Sequence, residues 1–167
     1  GNDQVTRKID ARGNSTWYVY DNAGRLADTI DALGAVTRNL YDANGRITRT
    51  IRYATALPAA TLTTLASTDA PSSVSPTTNA ARDQVTTYVY DTVGRLSSET
   101  QDPAGLNLVT GYKYDANGRL TRKIDARGNS TWYVYDNAGR LADTIDALGA
   151  VTRNLYDANG RITRTIR

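Results

Sequence analysis

A hexapeptide of the form Tyr-Asp-x-x-Gly-Arg occurs six times in this chain of 167 residues. Successive copies are separated by 21, 49, 24, 21 and 21 residues, counted from Tyr to Tyr. Regular spacing of this length is typical of repeat architectures, in which each unit packs on its neighbours. The repeated positions are Tyr20, Asp21, Gly24, Arg25, Tyr41, Asp42, Gly45, Arg46, Tyr90, Asp91, Gly94, Arg95, Tyr114, Asp115, Gly118, Arg119, Tyr135, Asp136, Gly139, Arg140, Tyr156, Asp157, Gly160 and Arg161.

A second turn signal, Asp-x-x-Gly, alternates with the hexapeptide. An Asp carboxylate can accept hydrogen bonds from nearby backbone N–H groups, and Gly adopts a positive φ without strain. The segments between turns, such as VTRNLY, are rich in β-branched and aromatic residues and predict strands. We therefore expect an all-β chain of tandem antiparallel hairpins. The second signal occurs at Asp10 to Gly13, Asp31 to Gly34, Asp102 to Gly105, Asp125 to Gly128 and Asp146 to Gly149.

Strand alternation assigns the residues before the first hexapeptide to two faces. Thr16, Tyr18 and Tyr20 share one face, and Trp17 and Val19 share the other. If consecutive units stack, their equivalent Tyr residues are expected to form a ladder of cross-strand aromatic pairs.

Within each hexapeptide the Arg lies four residues after the Asp. In the first copy these residues are Asp21 and Arg25, on either side of the turn. We expect the two side chains to form an ion pair that braces the turn.

A longer repeat is also present, because residues 6–52 are identical to residues 121–167, at an offset of 115. Such identity indicates recent duplication, design or a polymer whose sequence cycles. The absence of Met suggests an internal fragment or a processed product. The predicted divisions are repeats in 1–52, an insertion in 53–82, repeats in 83–120 and the second identical copy in 121–167.

The insertion accounts for the long spacing and lies at a predicted hairpin tip, between Arg52 and Asp83. Its sequence allows one short helix over 58–66, followed by a surface loop over 67–80. Three leucines, Leu57, Leu62 and Leu65, give it an apolar side. It is therefore either a cap packed over the open face of the sheet, a flexible tip or a functional excursion.

The composition argues against an enzyme, because the chain has no His and no Cys. The carboxylates recur in every unit, whereas a catalytic pair should be singular, and the only Glu, Glu99, lies in a predicted strand. We expect no catalytic residue, no cofactor and no metal site. Interspersed basic and acidic residues argue against nucleic acid, and the apolar runs are too short for membrane insertion.

The hexapeptides and the interleaved Asp-x-x-Gly turns resemble those of the Rhs/YD-repeat family. That family includes bacterial toxin shells, the cocoon subunits of insecticidal toxin complexes and the extracellular shell of teneurins. The resemblance implies a spiral β-sheet forming a tube or shell, an extracellular or cell-surface location, and an enclosed toxin domain as a partner. Toxin-releasing shells carry paired Asp-Pro-x-Gly motifs in a self-cleaving segment. This chain has one such string, at 102–105, in an ordinary turn position.

Two classes of function remain open. The first is a non-catalytic structural segment of a tube, fibre or shell, whose partners are further copies of the repeat in the same chain or by self-assembly. It predicts that the two identical copies occupy the same environment. A variant of this hypothesis is the wall of a cocoon around a toxin domain. The second is an adhesin module in which Trp17 and Trp132 contact cell-surface glycans.

Overall fold

A computed structural model describes residues 4–68 and 73–167 of the chain. Within these residues lie one helix, α1 (Ala59–Thr68), and thirteen strands. The strands are β1 (Arg7–Ile9), β2 (Ser15–Tyr20), β3 (Leu26–Ile30), β4 (Val36–Tyr41), β5 (Ile47–Arg52), β6 (Gln84–Tyr90), β7 (Leu96–Gln101), β8 (Leu108–Tyr114), β9 (Leu120–Ile124), β10 (Ser130–Tyr135), β11 (Leu141–Ile145), β12 (Val151–Tyr156) and β13 (Ile162–Ile166).

The strands are antiparallel, and their order in the sheet follows their order in the chain. This confirms the predicted fold class of tandem β-hairpins with one short helix. The register shifts by one residue just before the motif Tyr, for example between Val19 and Tyr20, and again between Leu155 and Tyr156. Such a bulge bends the strand locally as it enters the turn.

The chain divides into two compact units. The first comprises Gly1–Thr87 and Gln101–Leu106, and the second comprises Tyr88–Thr100 and Asn107–Arg167. The first identical copy, 6–52, lies in the first unit, and the second copy, 121–167, lies in the second.

The first unit has a buried core on one side of its sheet. Trp17, Val19, Ile30 and Val36 form this core together with residues of the insertion. We call the surface of β2–β4 that carries these four side chains the covered face. The intervening residues of β2 are only half-buried, so the predicted alternation is present.

The insertion supplies the other half of this core. Leu57, Leu65 and Val74 are buried, and Leu62 packs at the edge of the cluster. The insertion joins β5 to β6, which pair directly, so it lies at a hairpin tip as predicted. Of the three alternatives left open by the sequence, the cap is therefore the one that the structure shows.

The helix of the insertion begins one residue later and ends two residues later than predicted, at Ala59 and Thr68. The Pro58 carbonyl accepts the first helical hydrogen bonds, from Thr61 and Leu62. Part of the predicted loop, residues 69–72, lies outside the described residues. At ten residues, the single helix of the described ranges is too short to cross a membrane.

The turn at 102–105 differs from the ordinary turn that the sequence predicts. Gly105 N–H donates to Asp102 O at 3.1 Å, so the chain does reverse. Positive φ angles, however, occur at Asp102 (49°) and Asn107 (51°). The proline after Asp102 has a fixed φ, and the connection from Gln101 to Leu108 is one residue longer than that from Ile30 to Val36.

Candidate functional site

The carboxylate of each hexapeptide organises its own turn. The Oδ1 atom of Asp21 accepts hydrogen bonds from the backbone N–H groups of Ala23 and Arg25, both at 2.9 Å. Gly24 N–H donates to Asp21 O at 2.9 Å, and Gly24 has a φ of 76°. This geometry uses a side-chain acceptor such as the Asp carboxylate at the first position. It favours Gly at the fourth position, because a side chain with a Cβ is strained at that φ.

The arginine side chain of each hexapeptide forms an ion pair with the Asp that begins the turn. Arg25 Nε donates to Asp21 Oδ2 at 2.7 Å. In the described part of the chain, all six hexapeptides have the predicted ion pair, with closest distances of 2.7–2.8 Å.

The same arginine also binds the next unit. The Arg25 guanidinium carbon lies 4.6 Å from the centre of the Tyr41 ring, and Arg25 Nη1 donates to Asp42 O at 3.1 Å. The Tyr41 hydroxyl in turn donates to Leu26 O at 2.8 Å, in the preceding unit. One motif is thereby joined to the next by a cation–π contact and two hydrogen bonds.

The same connection between repeats recurs in the second compact unit of the chain. Arg140 Cζ lies 4.5 Å from the Tyr156 ring centre, Arg140 Nη1 donates to Asp157 O at 3.3 Å, and the Tyr156 hydroxyl donates to Leu141 O at 2.8 Å. Equivalent cation–π contacts join Arg95 to Tyr114 and Arg119 to Tyr135, at 4.8 and 4.7 Å. Guanidinium groups therefore stack on the motif Tyr rings, a contact that the predicted Tyr ladder did not include.

Hydrogen bonding holds the motif carboxylates in the ionised form. The side chain of Arg25, followed by its backbone N–H, lowers the pKa of Asp21 below the ordinary 3.8. The backbone N–H of Arg140 and then its side chain lower the pKa of Asp136 in the same way. Hydrogen bonds to the charged form stabilise that form. The N–H donors of each turn are therefore already bound to the carboxylate of its own Asp.

The last motif is more exposed than the one before it. The Arg161 side chain pairs with Asp157 at 2.8 Å but is 76% exposed, compared with 35% for Arg140. Arg140 is covered by the Tyr and the backbone of the following motif. Much of the burial of a motif Arg therefore comes from the motif that follows it.

A second cluster of polar residues lies on the covered face. Arg38 makes a bidentate pair with Asp28, with Nε–Oδ1 and Nη2–Oδ2 distances of 2.7 and 2.9 Å. Arg38 Nη2 also donates to Val74 O at 2.9 Å. The hydrogen bond with Asp28 raises the pKa of the Arg38 guanidinium. The turn motifs do not predict this pair, although the period-two alternation places Arg38 on the same face as Val36.

The two Trp residues proposed as glycan contacts lie in different environments. Trp17 is 4% exposed beneath the insertion, whereas Trp132, its identical counterpart, is 44% exposed. A buried indole cannot stack on a sugar, so the proposed contact at Trp17 is wrong. The contact at Trp132 stays a prediction. The expectation of equal environments for the two copies is also wrong, because Leu57, Leu65 and Val74 of the insertion pack over the first.

Among the residues that the structure describes, no group of three or more His, Cys, Asp or Glu is placed to hold a metal ion. Glu99, on β7, neighbours Tyr112 on β8. The pKa of Tyr112 is raised by burial and then by the Glu99 charge. The motif Asp residues are each engaged by their own Arg.

Comparison with known proteins agrees with this architecture. The chain is similar in fold to a chain in the crystal structure of TcdB2-TccC3-Cdc42 and to one in that of TcdB2-TccC3, each with a TM-score of 0.64 and 18% identity. Each match covers 89% of this chain and 7% of the other, so this chain spans a small fraction of those proteins. A comparison with curated proteins found no match.

A family model described as RHS Repeat matches residues 1–36, 20–56 and 114–151. These segments together cover more than half of the sequence, and they include four of the six hexapeptides. The chain belongs to the RHS repeat family.

Proposed function

We propose that this chain is a non-catalytic structural segment of a longer extracellular tube, fibre or shell. The observation that carries the proposal is the double use of the motif Arg. Arg140 braces its own turn through Asp136 and also binds Tyr156 and the Asp157 carbonyl of the next unit. The most repeated side chains of the protein thereby serve to hold one unit on another.

In such a wall, the stabilising free energy is spread over many small contacts between repeat units. Each connection between units contributes a cation–π contact, worth about 0.5–1 kcal/mol at a partly exposed site, and hydrogen bonds of similar size. No single connection is large, so rigidity depends on repetition. Repetition of one small set of contacts suits a wall better than a catalytic or recognition site, in which a few residues dominate.

The partner that we propose for this segment is a further unit of the same repeat. Arg161 presents the guanidinium group that Arg140 uses in binding the next motif, and its side chain is largely exposed. A further Tyr-Asp-x-x-Gly-Arg unit, in the same chain or in another molecule, fits that surface.

The wall of a cocoon around a toxin domain is a second candidate. The similarity in fold to chains of TcdB2-TccC3 and TcdB2-TccC3-Cdc42 favours it over a simple fibre. The two candidates share the repeat chemistry and differ in whether the sheet encloses a cargo.

Low-dose electron cryomicroscopy of the full protein that contains this segment tests these candidates. A filament with an axial repeat supports the fibre, and a discrete hollow particle with internal density supports the cocoon. Dispersed, conformationally variable chains would overturn the structural proposal. A variant with Arg95, Arg119 and Arg140 changed to Ala should lose order in the particle, whereas Arg127→Ala, in an exposed turn, should not.

A further inference from the structure

The two identical copies present the same residues in two states, one covered and one bare. The counterparts of Trp17, Val19, Ile30 and Val36 lie 115 residues later, at Trp132, Val134, Ile145 and Val151. We call the surface of β10–β12 that carries these four residues the bare face. Val36 is fully buried, but Val151 is 44% exposed. An apolar surface of this kind usually marks an interaction site.

On the covered face, the insertion is held first by backbone hydrogen bonds. Tyr53 N–H donates to Val36 O at 3.0 Å, and Leu57 N–H donates to Gly34 O at 2.8 Å. The approach at Gly34 is so close that an added Cβ would lie 2.9 Å from the Leu57 oxygen. Gly34 is thus required both for its turn and for this contact.

Two arginines of the first copy bind the insertion at positions later in its sequence. Arg38 Nη2 donates to Val74 O, and Arg7 Nη1 donates to Ala66 O at 3.2 Å. The Arg38 guanidinium also lies 5.8 Å from the centre of the Tyr53 ring. The arginines hold backbone carbonyls and a ring, and the insertion between 53 and 68 carries no charged residue.

Each residue of the first copy that holds the insertion has an identical counterpart in the second copy. Gly149, Val151, Arg153 and Arg122 are the counterparts of Gly34, Val36, Arg38 and Arg7. Arg153 already makes its bidentate pair with Asp143, at 2.6 and 2.9 Å. A Cβ added at Gly149 would meet no heavy atom of the described chain within 4 Å. The surface is therefore formed and open.

We propose that the bare face is a docking site for a second segment of the 53–82 type. The argument for this occupant is that the same residues, in the same pairing register, already hold such a segment on the first copy. A charged partner fits less well, because the Arg153–Asp143 pair is satisfied within the face. This inference concerns a site outside the Arg–Tyr connections of the proposed function.

The test extends the whole chain by a second copy of residues 53–90 after Arg167. Arg167 is the counterpart of Arg52, so the junction reproduces the natural connection to Tyr53. The added strand can pair with β13 as β6 pairs with β5. Tethering gives the segment a high effective concentration, so weak docking is detectable.

The readout is the fluorescence of Trp132. Its contribution is obtained by subtracting the spectrum of a Trp132→Phe variant, which leaves the buried Trp17 untouched. The extended chain should show a shift of Trp132 emission to shorter wavelength and loss of its quenching by acrylamide. If Trp132 stays as readily quenched as in the original chain, the proposal is wrong.

Two matched variants locate the contact. Val151→Asp should abolish the fluorescence change, because it places a carboxylate under the docked segment. Leu155→Asp should leave it unchanged, since Leu155 and its counterpart Leu40 are both 41% exposed and the insertion does not cover that position. Equal loss in both variants contradicts the proposal. Concentration-dependent dimerisation of the original chain, abolished by Val151→Asp, would show instead that the face binds another molecule of the chain.

Discussion

Arg140 and Tyr156 lie in successive repeat units, and the guanidinium of one stacks on the ring of the other at 4.5 Å. The Tyr156 hydroxyl returns a hydrogen bond to Leu141 O, the residue directly after Arg140. Each residue of the pair thus binds the unit that contains the other. The arrangement explains why Tyr and Arg recur together with the same period.

The contribution of this contact can be measured against the exposed end of the array. Arg140→Ala removes the stack and the hydrogen bond to Asp157 O, and we expect a loss of about 1–2 kcal/mol in the free energy of unfolding. Arg161→Ala removes only an exposed ion pair and should have a much smaller effect. Urea unfolding followed by circular dichroism measures both. Equal effects would show that the contact to the next unit contributes nothing.

The two Trp residues provide a second internal comparison. Trp17→Ala removes a fully packed indole, and we expect a loss of about 3–5 kcal/mol. Trp132→Ala removes a half-exposed indole with the same chain neighbours, and should cost about 1 kcal/mol or less. Urea unfolding of both variants at one pH gives the comparison. Similar losses would mean that the insertion does not cover the first copy in solution.

The motif carboxylates make stability depend on pH in the acid range. Hydrogen bonds from Arg140 lower the pKa of Asp136 in the folded chain, and Asp21 is affected in the same way by Arg25. A group with a lowered folded pKa stabilises the fold above its unfolded value, near 3.8, and this stabilisation is lost as the pH falls through the folded pKa. With no His in the chain, stability should be nearly constant between about pH 5 and 8 and fall steeply below about pH 4.

A conservative variant identifies the source of this dependence. Asp136→Asn keeps an oxygen that can accept the backbone hydrogen bonds of the turn but cannot change charge. The free energy of unfolding, measured by urea titration between pH 2 and 7, should fall less steeply in this variant. An unchanged slope would exclude Asp136 as a contributor.

The turn glycines should respond to substitution by their backbone conformation. Gly118 has a φ of +80°, and a Cβ there would meet no described heavy atom within 4 Å, so Gly118→Ala tests backbone strain alone. We expect it to cost about 1–2 kcal/mol. Gly111, in strand β8, has no positive φ, and its added Cβ would contact Ile124 at an ordinary 3.8 Å. Gly111→Ala should therefore be neutral or stabilising, and thermal unfolding of the pair of variants checks this.

The strands, the turns and the position of the insertion follow from the sequence because their causes are local. Asp21 and Gly24 determine a turn through hydrogen bonds within five residues. Alternation places Trp17 and Val19 on one face whatever lies above them. The three leucines of the insertion made a cap one of three alternatives, and the sequence alone did not choose among them.

The remaining features depend on contacts between distant segments. The difference between Trp17 and Trp132 is invisible in their sequences, which are identical for 47 residues, and arises from what packs above them. The Arg25 contact to Tyr41 joins residues in different repeat units, so the sequence of a single turn does not predict it. The common period of Tyr and Arg is the signal that could have revealed it.

The order of the strands has a consequence for how this polypeptide reaches its native state. Where pairing is described, each strand binds the one before or after it in the chain, so most loops that must close are only a few residues long. Short loops cost little entropy, and a low contact order favours rapid folding. A nascent chain with this topology can acquire its hairpins one at a time during synthesis, each new strand adding to an edge that has already formed.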